Sequence, residues 1–97
     1  MNIKIINFDK DITRVIIDEA KTYNSLSFKN LNDLIKAFKK LDKDQKVKVI
    51  ILEGAGKGFS AGHNLNEVKK LKTKERYQKL FNLCSKLMLQ IVEGRKP

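Results

Sequence analysis

The sequence predicts an α/β fold, and three observations carry that reading. Isoleucine- and valine-rich runs at 2–8 (NIKIINF) and 12–18 (ITRVIID) have the composition of strands. An amphipathic helical stripe at 28–41 is followed by a third apolar run at 47–53 (VKVIILE). A strand that returns after a helix implies a βαβ crossover, which lays the helix on a sheet. The expected order is β-β-α-β-loop-α-α.

The first two runs are joined by Asp9-Lys10-Asp11, a turn signal, so they form a hairpin. A polar stretch, EAKTYNSLS, links the hairpin to the first helix. Ser27 is placed as that helix's N-cap. Phe28, Leu31, Leu34, Ile35, Phe38 and Leu41 then recur at helical spacing. LDKDQK is a charged turn, and the continuous apolar character of 47–53 predicts a strand covered on both faces. Residues 64–71 predict a short helix with Leu65, Val68 and Leu71 inward. The last helix, 74–92, is capped by Thr73 and carries Tyr77, Leu80, Phe81, Cys84, Leu87, Met88 and Ile91 on one stripe. Gly94 and Pro97 suit its end. That helix presents a wide apolar face with few strands to receive it. The chain reads as the front part of a larger domain.

Composition narrows the function classes. Hydrophobic residues make up 41% and charged residues 33% of 97, the balance of a folded chain rather than a disordered one. No stretch approaches the ~20 apolar residues of a membrane span, and the N-terminus lacks the pattern of a signal peptide. One cysteine, Cys84, permits no internal disulfide and fits a reducing compartment, so a cytoplasmic location is expected. Cys84 itself lies on an apolar stripe and reads as a buried structural residue. The net charge of +10 is mostly lysine, spread from Lys4 to Lys96. Such a surface attracts polyanions in general. Arginine, which leads in base readout, is scarce, and the few aromatics fall mostly on core stripes, which argues against nucleic acid.

Chemistry concentrates in GAGKGFSAGHNL, Gly54 to Leu65. A glycine-rich loop beyond the carboxyl end of a strand is a common ligand position in α/β sheets. Free N–H groups at the start of a following helix favour a phosphate or an oxyanion. The same pattern also serves as a tight strand-to-helix connection with no ligand. It fits neither the P-loop nor the G-x-G-x-x-G dinucleotide spacing. His63 stands alone, without the partners a metal site or a catalytic triad requires, so no metal is expected and its side chain reads as a packing or hydrogen-bonding group. Glu67, Glu75 and Glu93 read as solvated surface.

The stretch VKVIILEGAGKGFSAGHNLNEV resembles the first signature of the crotonase superfamily, the enoyl-CoA hydratase/isomerase family. That pattern is a V-x-x-V-I-L strand followed by G-x-G-x-x-F-[SAC]-A-G-x-[DN]-L. Gly54, Gly56, Phe59, Ser60, Ala61, Gly62, Asn64 and Leu65 fill it, with Asn64 in place of the usual aspartate. KTYNSLSFKNLNDLIKAF resembles the family's R/K-x-N-A-L-[ST] segment and first helix. FSAGHNLNEV and FNLCSKLMLQI are most similar to the mitochondrial enoyl-CoA hydratase domain-containing subgroup.

The resemblance implies the N-terminal portion of a ββα spiral fold, with residues 1–97 as one segment of a crotonase-like domain. It implies an acyl-CoA thioester ligand, with coenzyme A as part of the substrate and no separate cofactor. By position, His63 would offer its backbone N–H to the thioester oxygen as half of an oxyanion hole. His63, Asn64, Leu65 and Asn66 would line the acyl-thioester region, with Phe59, Ser60 and Ala61 near the pantetheine and adenine end, and Gly62 would belong to the same substrate-binding set. Lys21, Thr22 and Tyr23 would skirt the CoA phosphates. The second oxyanion amide and the catalytic carboxylates of the family lie downstream, so the chain alone is expected to be inactive. A role in fatty acid metabolism and a homo-oligomeric full-length form, trimer or hexamer, follow from the same resemblance. The competing reading is a small basic α/β module that binds nucleic acid or a protein partner without catalysis.

Overall fold

The computed structural model describes residues 2–97 and, within them, every side chain except that of Leu65. Two strands, β1 (Ile3–Asp9) and β2 (Ile12–Ile17), form the expected hairpin, antiparallel, with Ile3 opposite Ile17 and Ile5 opposite Val15. Its register shifts between Asn7 and Asp9, where the ladder accommodates one extra residue. α1 (Phe28–Lys43) then crosses over to β3 (Val49–Gly54), which pairs in parallel with β2, Val15 opposite Leu52. The sheet order is β1-β2-β3. A short helix α2 (Leu65–Lys70) and the long α3 (Lys74–Glu93) complete the chain.

Helix starts follow the local chemistry. The Ser27 hydroxyl accepts the Asn30 N–H at 3.1 Å, and the Thr73 hydroxyl accepts that of Arg76 at 3.2 Å. Gly94 closes α3 for reasons of space: a Cβ there would stand 2.8 Å from the Gln90 carbonyl oxygen. Beyond it, the Lys96 ammonium reaches the Leu41 and Asp44 carbonyls, where it satisfies the end of α1. The Pro97 carbonyl accepts the Ile50 N–H of β3 at 2.9 Å.

α1 lies on one face of the sheet, and α3 packs mainly against α1 on that same side. Val15 and Ile17 of β2 meet Leu31, Leu34, Ile35 and Phe38 of α1, with Leu80 and Leu87 of α3 behind them. Each fully buried leucine here contributes about 2 kcal/mol by transfer from water. On the opposite face Ile6, Phe8 and Ile51 remain open around the Arg14–Glu53 ion pair. The guanidinium donates twice to the carboxylate, at 2.6 and 2.8 Å. That hydrogen bonding holds the Glu53 carboxyl below the usual carboxylate range, against a smaller opposing effect of burial.

The expectation that the third strand is covered on both faces does not hold. Ile51 is 38% exposed because the helices cover one side only. The strand also starts later than predicted, and Val47 is buried in the preceding turn. On α3 the stripe splits. Leu80 and Leu87 are buried and Cys84 is half-buried, whereas Tyr77, Phe81, Met88 and Ile91 are exposed. Nor do the aromatics sit mainly in the core: Phe38 is buried and Phe28 half-buried, while Phe8, Tyr23, Phe59, Tyr77 and Phe81 are exposed. The physical reason is shape. The radius of gyration is 14.0 Å, against about 12.5 Å for a compact domain of this length, so one helix layer leaves outer faces bare.

Candidate functional site

β3 ends at Gly54, and the loop that follows doubles back over it. A Cβ on Gly54 would lie 2.0 Å from the Phe59 carbonyl oxygen, so only glycine admits this approach. The Ala55 N–H extends the sheet by one bond to the Ile17 carbonyl, at 2.8 Å. Gly62 has φ +85°, a left-handed conformation that turns the chain toward α2.

The loop is held by the segment before α1, which sequence reading treated as a polar link. Ala20–Thr22 is a 3₁₀ turn, and Tyr23 and Asn24 follow at φ +53° and +56°. Asparagine tolerates that conformation better than most residues. Asn24 is 2% exposed, and its side-chain N–H₂ donates to the carbonyls of Ala55, Gly58 and Phe59 at 2.8, 3.2 and 3.1 Å. Its side-chain oxygen accepts the Glu19 N–H at 2.8 Å. The backbones also join: Ala61 N–H to the Tyr23 carbonyl, Leu26 N–H to the Gly62 carbonyl, and Ser60 hydroxyl to the Asn24 carbonyl. Beneath them the Glu19 carboxylate accepts from Asn2, Thr22, Ser25 and Asn30. Asn30, fully buried, also donates to the Ser25 carbonyl at 2.8 Å. Buried polar groups are tolerated where they are paired in this way.

Asn64 caps α2, its side-chain oxygen accepting the Glu67 N–H at 3.1 Å. Its amide also donates to the Ser25 hydroxyl at 3.4 Å, a bond the aspartate it replaces has no proton to make. Glu67 is not simple solvated surface. Its carboxylate accepts the Phe28 N–H at 2.8 Å and closes the first turn of α1.

His63 lies between these caps. Leu26 bonds to the carbonyl preceding it, and the Ala61 and Gly62 N–H groups are taken by Tyr23 and Ser60. Among the described residues no acceptor pairs with the His63 N–H. Its ring stands edge-on to Phe81, centroids 5.6 Å apart, with a buried and unpartnered Nδ1. Among the described residues no carboxylate bonds to that Nδ1.

Two clefts flank Ala61. One, about 360 Å³, is lined by Lys21, Thr22, Ser25, Ala61, His63, Asn64, Asn66 and Lys69. The other, about 610 Å³, is lined by Ala20, Tyr23, Asn24, Ala55, Gly56, Lys57, Gly58, Ser60 and Ala61. Each carries lysine and no carboxylate, so both favour an anionic group.

The residues predicted for the site therefore divide. Lys21, Thr22, Ala61, His63, Asn64 and Asn66 meet at the first cleft; Tyr23, Ser60 and Ala61 meet at the second. Gly62 shapes the turn without lining either. The Phe59 side chain, 53% exposed, lines neither, and its carbonyl turns inward. The side chain of Leu65 lies outside the described residues. Glu19, Asn24 and Ser25 escaped sequence reading. Their visible signal was an asparagine in a polar linker, a residue suited to left-handed turns, but its partners lie 31 to 35 positions away. Among the described residues no cluster of three or more metal-ligating side chains occurs. Among the same described residues no helix is long and apolar enough to cross a membrane.

The chain's likenesses agree with this geometry. The pattern of the family described as enoyl-CoA hydratase/isomerase matches residues 7–97. The Xenopus laevis mitochondrial enoyl-CoA hydratase domain-containing protein 3 is 32% identical over 84 residues, which cover 87% of this chain and 29% of that protein. A crystal structure of an enoyl-CoA hydratase from Mycobacterium smegmatis superposes on the whole chain with a TM-score of 0.94 at 30% identity, using 38% of its own length. The human enoyl Coenzyme A hydratase domain-containing protein 3 superposes with a TM-score of 0.90 at 27% identity, again over 38% of its length. The chain thus spans only 29% to 38% of the length of these three relatives. With the family pattern matched over residues 7–97, nearly all of its length, the chain belongs to the enoyl-CoA hydratase/isomerase family.

Proposed function

We propose that this chain supplies the thioester-holding part of an acyl-CoA site, with the His63 backbone N–H as an oxyanion donor in fatty acyl metabolism. The observation that carries the reading is the His63 N–H itself. Its two predecessors spend their N–H groups inside the protein, and it does not. It belongs to a residue lining a cleft that also presents Lys21 and Lys69, cations suited to the phosphates of coenzyme A. A preorganised N–H aimed at developing negative charge is worth roughly 3–4 kcal/mol to an enolate-like transition state. His63 contributes through its main chain in this reading. Its ring is held against Phe81, and among the described residues no acid pairs with its Nδ1 to make it a base.

Gly62 sets the direction of that N–H. A Cβ there would meet nothing within 4 Å, so the strain of Gly62→Val comes first from φ +85°, about 1–2 kcal/mol. Relief of that strain rotates the peptide bearing the His63 N–H. Calorimetric titration with butyryl-CoA should therefore show saturable binding by the chain and weaker binding by Gly62→Val. Equal affinities would count against the assignment. The reading as a nucleic-acid module gains no support, because the exposed aromatics are scattered: Phe8 on the outer sheet face, Tyr23 at a cleft, Phe59 on the loop, and Tyr77 and Phe81 on α3.

A further inference from the structure

We propose that Asn24 is a positioning residue for this site: its side-chain amide sets which way the Ala55–Ser60 backbone faces. One nitrogen with two hydrogens gathers three carbonyl oxygens, those of Ala55, Gly58 and Phe59. All peptide bonds here are trans, so a carbonyl turned inward turns the next residue's N–H outward. The Gly56, Phe59 and Ser60 N–H groups thus face away from Asn24, and among the described residues none of them is paired. Among the described residues, β2 bonds to the loop through the Ile17 carbonyl at Ala55. Past that point the loop's inward bonds run to Asn24 and to the backbone on either side of it. Asn24 therefore does more than fill space. It fixes the backbone polarity of the loop that leads into Gly62 and His63.

Aspartate has the same shape but no amide protons, and it would place a carboxylate against three carbonyl oxygens. In the 97-residue chain, Asn24→Asp should move or broaden the ¹⁵N–¹H signals of Gly56, Phe59, Ser60 and His63. Those of Leu31 and Leu80 in the core should stay in place. Ser27→Ala, the loss of an α1 cap whose hydroxyl bonds to Asn30 and to none of these carbonyls, serves as a control for destabilisation alone and should leave the Gly56, Phe59 and Ser60 signals unmoved. This arm needs no ligand. The second arm rests on the reading under Proposed function: titration with butyryl-CoA should show at least a tenfold weaker affinity for Asn24→Asp than for Ser27→Ala. Loop signals unchanged in Asn24→Asp would overturn the proposal. Moved loop signals with no thioester binding by the unsubstituted chain would uphold the role of Asn24 and sink the acyl-CoA reading instead. Should Asn24→Asp not fold, Asn24→Gly, which accepts φ +56° freely, takes its place. If neither folds, Asn24 is a core residue and the positioning role is lost.

Discussion

Replacing Gly54 with alanine adds one methyl group at the tightest approach in the loop. The new Cβ would fall 2.0 Å from the Phe59 carbonyl oxygen and 2.7 Å from its carbonyl carbon and Cα. All three are backbone atoms, so no flexible side-chain end can give way. To reach ordinary van der Waals contact at 3.4 Å, loop and strand must separate by roughly 1.4 Å. Overpacking of this kind costs about 1–3 kcal/mol. The movement also pulls the Phe59 carbonyl from Asn24, whose bond to it is already 3.1 Å long. Misplacement by about 1 Å is enough to cost on the order of 100-fold where a reacting group must be aimed. Urea unfolding should show a lower midpoint with an unchanged slope, and butyryl-CoA titration should show weakened binding in the folded fraction. Gly58→Ala is the internal control, since a Cβ there meets nothing within 4 Å. If Gly54→Ala matched Gly58→Ala in both assays, the loop would not lie over Gly54 as described.

Leu34, 1% exposed between the sheet and α3, should lose about 2–5 kcal/mol on replacement by alanine, read by the same unfolding curve. The Arg14–Glu53 pair makes stability depend on acid pH. The folded-state pKa of Glu53 is depressed, so the unfolded state binds the proton more readily. The pair's contribution is complete above the unfolded carboxylate range, about 4, and is lost as pH falls from there through the lower folded value. Glu53→Gln should flatten that part of the stability profile, and an unchanged acid limb would contradict the pairing.

Much of the fold was legible because its signals are local. Ser27 and Thr73 cap where hydroxyls precede a helical stripe, and the order of strands and helices follows from runs of β-branched residues and helical spacing. Coverage was not legible. The run 47–53 carries apolar residues for two faces, but only long-range packing decides which face a helix covers, and Ile51 stays open. The site divided in the same way. The glycines, Ser60 and the cap at Asn64 stand in one contiguous motif, so the loop could be found. Asn24 could not, since its role consists of bonds to residues more than 30 positions away. Glu67 likewise looked like surface until α2 brought its carboxylate to the Phe28 N–H.

The His63 N–H is the atom on which the functional reading depends, and it can be watched directly. Titration of the ¹⁵N-labelled chain with butyryl-CoA should move the His63 amide proton downfield in a saturable way, as the N–H meets the thioester oxygen. Free coenzyme A, which has no thioester carbonyl, should leave that signal nearly in place while still shifting signals near Lys21 and Lys69. Saturable butyryl-CoA binding with an unmoved His63 amide would contradict the claim that this N–H holds the thioester.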